Sequence, residues 1–445
     1  MYSNRDLRKL LLPLIAEQML TACMGIADTL MVSNVGAEAL SGVSLVDTVN
    51  NLIILVFAAM AAGGTIVCAQ YLGRGDRPEA REAAGQVILS CTVLSVLPAV
   101  LCALFGRPLL GLIYHSVDAG VMEAGVTYFF ISALSYPFLG MQQAAASLFR
   151  AEGESKIPMI VSAIANAINV AGNALLIFGL NMGVAGAAIA TLISRAVSAV
   201  ILLLMLRSEK RQLQISQMEQ LKPRWRMIRM ILRIGIPTGL ENGLFQFGKL
   251  IVTSTVATLG TAAISAHAMI QMCEGIHGYP SMAIGIGLTT VAGTCMGAGR
   301  VDEAKKYTLK LCGLAELAMG IMGIAFAVLL NPIADIAALT PESRELFINI
   351  MIIALVCKML LWVPSFTLPN AMRAAGDVTF CAAVSAASMW AFRVGLTFIL
   401  CRYLSFGLYG VWLGWFVDWI VRDIFYIWRY LSGRWTQKRV LDPAA

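Results

Sequence analysis

Long apolar segments alternate with short polar connections along the whole chain. Each apolar segment has about 20 residues or more, the length that an α-helix needs to cross the hydrocarbon core of a bilayer. The pattern predicts an all-α polytopic membrane protein with twelve transmembrane helices, whose ends are uncertain by a few residues. The predicted spans are approximately 8–33, 41–72, 86–106, 123–149, 157–179, 183–206, 232–259, 263–296, 308–330, 345–372, 380–403 and 407–431.

Composition supports lipid as the solvent for most of this chain. Of its 445 residues 58% are hydrophobic and 13% are charged, and the mean hydropathy is +0.76. A soluble protein carries about 25% charged residues. The ten cysteines are scattered singly through apolar segments, which predicts free thiols and no disulfide framework or metal site.

The two halves of the chain repeat each other at a spacing of 224 residues, which shifts to 223 near Arg150 and Arg373. A duplicated half in an apolar chain is typical of transporters built from two lobes. The repeated positions include Pro13/Pro237, Glu17/Glu241, Gly36/Gly260, Gly75/Gly299, Glu79/Glu303, Arg150/Arg373 and Gly183/Gly407.

The repeat divides the chain into domains. We predict an N-terminal six-helix lobe (1–206), a cytoplasmic linker (207–231), a C-terminal six-helix lobe (232–431) and a cytoplasmic tail (432–445). Because six is an even number, the halves enter and leave on the same face and are related by an axis along the membrane normal.

Basic residues concentrate in alternate connections, including the linker and both ends of the chain. The positive-inside rule therefore predicts cytoplasmic termini and a multi-pass protein of the plasma or inner membrane. This distribution also accounts for the net charge of +7, so we expect the lipid bilayer as a partner and no nucleic acid.

Several motifs occur in the same order as in a known family. They are Pro13 with Ala27-Asp28-Thr29, then Gln70-Tyr-Leu-Gly-Arg-Gly-Asp76, then Phe149-Arg-Ala-Glu-Gly153, and the segment from Phe178 to Thr191 with Ser194-Arg195. On these motifs the chain resembles the multidrug and toxic compound extrusion (MATE) family. The resemblance implies a V-shaped pair of six-helix lobes. It also implies a secondary antiporter, not an enzyme, that exports organic and often cationic compounds in exchange for H⁺ or Na⁺ by alternating access, without a cofactor.

The resemblance also implies an ion-coupling site in the first lobe, at Asp28, Asn169, Asn173 and Thr191. Asp28 would be the carboxylate that exchanges H⁺ or binds Na⁺, and the other three would supply oxygen ligands or hydrogen bonds. No other metal site is expected. The family usually has Asp at the position of Asn173, and Val252 stands opposite Asp28 in the repeat. The sequence leaves the choice between H⁺ and Na⁺ open.

Three further intramembrane acids are candidates for a substrate cleft: Glu17, Glu241 and Glu274. An acid inside a membrane is costly and therefore calls for an explanation. Glu17 and Glu241 are related by the repeat and would attract a cationic substrate, or they would simply accept hydrogen bonds from neighbouring helices. Glu274 is a candidate second proton site, or a structural partner of Lys249, Lys358 or Arg393.

Those three basic residues all lie in the second lobe. If they are unpaired, the substrate would be anionic or zwitterionic instead of cationic. A flippase for lipid-linked oligosaccharides, from the same wider superfamily, is the main alternative function. An enzyme and a non-transporting scaffold are less consistent with the chain, which shows no catalytic constellation. We expect a monomer that transports a small organic molecule.

Overall fold

The computed structural model describes residues 1–114, 117–216 and 218–441, apart from the side chain of Met218. Within these residues the chain forms twelve long helices and no strand, which confirms the predicted fold class. We number them α1 (Asn4–Ser33), α2 (Ala37–Arg74), α3 (Arg77–Ile113), α4 (Ala119–Ala151), α5 (Lys156–Gly179), α6 (Gly183–Leu206), α7 (Trp225–Ala257), α8 (Thr261–Gly297), α9 (Val301–Ile336), α10 (Pro341–Ala374), α11 (Val378–Arg402) and α12 (Gly407–Leu431). The last four residues of the predicted tail, 442–445, lie outside the described residues.

Most helices begin or end several residues beyond the apolar segments that predicted them. For example, α3 begins at Arg77, about nine residues before the predicted span. The side chain of Asp76 caps it by accepting a hydrogen bond from the backbone N–H of Glu79, at 3.2 Å. Hydropathy detects only the apolar part of a helix, whereas capping residues set where the helix starts.

Glycines at repeated positions form equivalent turns in the two halves. Gly75 and Gly299 follow α2 and α8 with φ of 82° and 72°, and Gly183 and Gly407 begin α6 and α12 with φ of 54° in both. Left-handed backbone at positive φ is available to glycine without steric cost. The repeat therefore preserves these glycines because the turns require them.

Nine of the described helices are long and apolar enough to cross a membrane, namely α1–α6 and α9–α11. The other three, α7, α8 and α12, contain interior charged residues such as Glu241, Glu274 and Asp418. Buried charges lower hydropathy without shortening a helix, and all three have 25 residues or more.

The chain forms two compact units. The N-terminal unit comprises Tyr2–Gly239, and the C-terminal unit comprises Leu240–Ala445 together with Met1. The division falls inside α7. Each unit has a hydrophobic core of its own, which includes Phe57 and Tyr136 in the first and Trp412 and Trp419 in the second.

The segment between α6 and α7 is largely exposed but is anchored to the N-terminal unit. Glu152, at the end of α4, accepts a hydrogen bond from the backbone N–H of Leu213 at 2.6 Å. Gln86 of α3 donates to the carbonyl oxygens of Gln220 and Lys222 at 2.9 and 2.8 Å. A Cβ at Gly85 would collide with the carbonyl of Gln220, so this close approach requires a glycine.

Candidate functional site

The four predicted coupling residues form a continuous chain of hydrogen bonds inside the N-terminal unit. Asn173 Nδ2 donates to Asp28 Oδ1 at 2.6 Å and also lies 3.3 Å from Asn169 Oδ1. Asn169 Nδ2 in turn donates to Thr191 Oγ1 at 3.1 Å. The structure therefore brings together residues from α1, α5 and α6 that are up to 163 positions apart in sequence.

Helix geometry explains how α5 presents both asparagines to Asp28. Asn169 and Asn173 are four residues apart, so they lie on one face of the helix. A π-helical segment, Ala174–Gly179, begins directly after Asn173. Such π-helical turns are often found at functional sites because they change the direction of side chains within one helix.

Two features of this chain fit an exchangeable cation. Asp28 forms no ion pair within the described part of the protein, although it is half-buried. The oxygen Oδ1 of Asn173 is buried without a hydrogen-bond partner. Carboxylate and amide oxygens are suitable ligands for a hard cation such as Na⁺, and the same carboxylate can take up a proton instead.

A second acid, Asp47 of α2, lies near enough to interact electrostatically with Asp28. Asn50 donates to Asp47 at 3.2 Å, and Tyr136 donates to Asn50 at 2.6 Å. Arg195 of α6 interacts electrostatically with both acids and donates to Ser135 at 2.7 Å. Sequence analysis did not assign a role to Arg195, but its position four residues after Thr191 places it on the same helical face.

The cleft candidates Glu17 and Glu241 both form ion pairs with arginines that the repeat also duplicates. Arg150 Nη2 lies 2.6 Å from Glu17 Oε1 in the N-terminal unit. In the C-terminal unit, Arg373 Nη2 lies 2.7 and 3.0 Å from the two carboxylate oxygens of Glu241. These pairs bond α1 to α4 and α7 to α10, so the same contact is present twice in the molecule.

The third cleft candidate, Glu274 of α8, is paired with Lys358 of α10. The ammonium nitrogen of Lys358 lies 2.7 Å from Glu274 Oε1 and 2.5 Å from the carbonyl oxygen of the same residue. It also stands 3.9 Å from the ring centroid of Trp362, a cation–π distance. Of the three partners that the sequence left open for Glu274, Lys358 is the one in contact.

Comparisons with known proteins agree with this architecture. The chain is 27% identical over 444 residues to a protein of Thermotoga maritima named "Probable multidrug resistance protein NorM", covering 98% of this chain and 94% of the relative. It is 23% identical over 361 residues to an "FAD transporter" of Shewanella oneidensis, covering 80% and 78%.

Solved structures share the fold. One of them, described as "Reverse polarity of binding pocket suggests different function of a MOP superfamily transporter from Pyrococcus furiosus", has a TM-score of 0.87 at 19% identity and covers 98% of this chain and 96% of its own. The MatE family model matches residues 13–175 and 237–399, which are the two halves of the repeat. The chain therefore belongs to the MatE family of membrane transporters.

Proposed function

We propose that this protein is a secondary antiporter that exports organic compounds in exchange for H⁺ or Na⁺ by alternating access, with Asp28 as the coupling acid. One observation carries the proposal. Among the described residues, the side chain of Asp28 is bonded to one amide, Asn173 Nδ2, whereas Glu17, Glu241 and Glu274 each contact a basic side chain. A buried basic partner stabilises the ionised form of an acid, so such an acid does not readily take up H⁺ or Na⁺. An acid bonded to a neutral amide can do so.

The amide of Asn173 gives a physical route for this exchange. A charged Asp28 accepts the hydrogen bond that Asn173 Nδ2 donates, as the structure has it. A protonated Asp28 can donate instead, and the buried oxygen Oδ1 of Asn173 is an acceptor without a partner. Rotation of the amide would therefore accompany protonation and would break the bond between Asn173 and Asn169. In this way the charge on α1 would change the contacts of α5.

The proposed substrate is an amphipathic organic compound. The three acids that would attract a cation, Glu17, Glu241 and Glu274, have their charges balanced by Arg150, Arg373 and Lys358. The names of relatives include both a multidrug resistance protein and an FAD transporter, and FAD is an anion. The second name therefore supports including anionic organic solutes in the proposed substrate class.

We place the protein in the plasma or inner membrane with both termini in the cytoplasm, because basic residues concentrate in the connections on that side. We also propose that the monomer is the transporting form, because a single chain supplies both halves of the repeat and all four proposed coupling residues.

Efflux from proteoliposomes under separately imposed Na⁺ and pH gradients tests the function. Wild-type protein should move ethidium against its gradient when one of the two ion gradients is applied. Asp28→Asn should reduce this ion-driven efflux to the level of vesicles without protein, while expression and thermal stability stay close to wild type. A labelled lipid-linked oligosaccharide, assayed in the same vesicles, should not be moved.

The matched control is Asp118→Asn, which removes an exposed acid whose side chain makes no capping hydrogen bond. This control should transport like wild type. Ion-driven efflux by Asp28→Asn at the wild-type rate would exclude Asp28 as the coupling acid. Movement of the lipid carrier without ion-driven efflux would favour the flippase alternative.

A further inference from the structure

The interior of the C-terminal unit contains a cluster of basic side chains among aromatic rings, which we call the Lys249 cluster. Arg393 of α11 lies 4.3 Å from the ring centroid of Trp415 and 4.8 Å from that of Phe245. Lys249 is four residues after Phe245 on α7 and interacts electrostatically with Arg393 and Glu274. His267 of α8 stands edge-on to Trp415, with ring centroids 6.2 Å apart.

The cluster carries an excess of positive charge. Its ionisable members other than His267 are four basic side chains and two acidic ones: Lys249, Lys358, Arg393, Arg422, Glu274 and Asp418. Four positive charges against two negative charges leave an excess of two. Asp423, which interacts electrostatically with Arg422, reduces the excess to one if it is counted.

Lys249 accounts for one of the two excess charges, and the sharing of Asp418 by two arginines accounts for the other. Lys358 is paired with Glu274 at 2.7 Å. Arg393 and Arg422 share Asp418 at 2.8 and 2.9 Å. Among the residues that the structure describes, Lys249 has neither an ion pair nor a hydrogen bond to its ammonium group. An unpaired charge inside a membrane protein is costly, so such groups are often found where a ligand binds.

Several hydrogen-bonding groups in the cluster are also without partners. The indole N–H groups of Trp412 and Trp415 and the Nε–H of Arg393 are buried and unbonded, and these residues are 1%, 3% and 2% exposed. The Nδ1 atom of His267 is likewise unbonded. Most buried polar groups in proteins have a partner. Donors that lack one, gathered around unbalanced positive charge, fit an anionic ligand.

The internal repeat places this cluster at the position of the coupling site in the other half. Trp415 corresponds to Thr191 in the 224-residue register, and Arg393 lies within one residue of the counterpart of Asn169. Lys249 lies within one turn of Val252, the counterpart of Asp28. The N-terminal site contains two acids and one arginine, an excess of one negative charge. The equivalent location in the C-terminal unit therefore has the opposite polarity and large aromatic side chains.

We propose that the Lys249 cluster binds the anionic group of an aromatic substrate. That group is a carboxylate or a phosphate, and Lys249 forms an ion pair with it. This proposal rests on the proposed function and names the substrate class of the transporter. The ammonium of Lys249 and the free N–H groups of Arg393 and Trp415 supply the donors for the anion. The rings of Trp415 and Phe245 supply apolar faces on which an aromatic ring can stack.

Binding to the detergent-solubilised full chain tests this site without requiring transport. Flavin mononucleotide and riboflavin share one ring system and differ in a phosphate, so they isolate the effect of negative charge. Calorimetric titration should show that wild-type protein binds flavin mononucleotide at least about tenfold more tightly than riboflavin. Lys249→Met should remove this preference, and Lys249→Arg should retain most of it.

Two controls separate binding from folding. Lys306→Met removes an exposed lysine of α9 and should keep the wild-type preference. Lys249→Met should not lower the midpoint of thermal unfolding, because it removes a half-buried charge that has no partner among the described residues. A lysine that merely stabilised the fold would lower the midpoint and leave the ratio of the two affinities unchanged.

Equal affinity of the wild type for the two flavins would overturn the proposal, as would an unchanged preference in Lys249→Met. Inorganic phosphate should compete only weakly with flavin mononucleotide. If the protein binds both equally tightly, the site binds anions without selecting aromatic ones, and the proposal is wrong. These outcomes are independent of ion-driven ethidium efflux. A protein that exports ethidium but shows no flavin preference would retain its proposed function and lose this inference.

Discussion

At the scale of single residues, the partner of each buried acid determines what that acid can do. Glu17 lies 2.6 Å from an arginine, so its charge is balanced within the protein. Within the described residues, Asp28 makes no ion pair: it accepts a hydrogen bond from an amide, and its electrostatic neighbours are Asp47, of the same sign, and Arg195. A like charge and a low dielectric both penalise the ionised form, and a bound cation or proton relieves that penalty. The different functions that we propose for two acids on one helix thus follow from their neighbours.

A substitution at Asn173 can test which ion, H⁺ or Na⁺, neutralises Asp28. Asn173→Asp places a second carboxylate 2.6 Å from the first, where the family usually has an acid. Two carboxylates attract a hard cation more strongly than one carboxylate and an amide. We expect the concentration of Na⁺ that half-saturates Na⁺-driven ethidium efflux to fall by about tenfold or more, or Na⁺ dependence to appear if the wild type uses H⁺ alone.

The matched control is Asn166→Asp, because Asn166 lies on the same helix but donates to the backbone carbonyl of Leu20 instead of the coupling chain. It should leave the Na⁺ dependence at the wild-type value. If both variants change Na⁺ dependence equally, the effect is general electrostatic attraction, and the oxygens around Asp28 are not a cation site.

At the scale of helices, the spans and turns could be predicted from sequence, but the contacts between helices largely could not. Hydropathy together with the polar connections located all twelve helices, because lipid imposes a minimum length on each. The spacing of Asn169 and Asn173 placed them on one face because helical periodicity is local. The pairing of Glu17 with Arg150 joins residues 133 positions apart, and no local pattern contains that information. The repeat did indicate this pairing indirectly, since it preserves both the acid and the arginine in each half.

The bond between α1 and α4 can be tested by a double-mutant cycle on Glu17 and Arg150. Both side chains are largely buried, at 10% and 14% exposure. Arg150→Met leaves the carboxylate of Glu17 without a basic partner, and we expect a loss of about 3–5 kcal/mol in unfolding free energy. Adding Glu17→Gln removes the unpaired carboxylate and should recover part of the lost unfolding free energy. Chemical denaturation in detergent measures both.

The exposed pair of Lys222 and Glu219 provides the comparison, because solvent screens it and Lys222→Met should change stability little. The same cycle on Glu241 and Arg373 should reproduce the sign of the result in the other half. Additive effects of the Glu17 and Arg150 substitutions would mean that the two side chains do not interact energetically. The bond would then not contribute to holding α1 against α4.

At the scale of the whole molecule, duplication has produced two related six-helix halves whose interiors now differ in charge. The ion pairs Glu17–Arg150 and Glu241–Arg373 are preserved, as are the glycine turns. The residues between them have diverged, so that Thr191 in one half corresponds to Trp415 in the other. Preserved contacts maintain a common scaffold, whereas diverged positions can acquire separate tasks. We therefore expect the N-terminal half to carry the ion and the C-terminal half to select the substrate.

This division of tasks predicts opposite defects in two variants of the full chain. Asp28→Asn should lose ion-driven efflux of every substrate, yet bind flavin mononucleotide with wild-type affinity, because its change lies in the other half. Lys249→Met should retain ion-driven efflux of ethidium within about twofold and lose the preference for flavin mononucleotide over riboflavin. Proteoliposome efflux and calorimetric titration on the same preparations measure both properties. If either variant loses both properties while its thermal unfolding is unchanged, one site serves ion and substrate together, and the charge difference between the halves does not separate their functions.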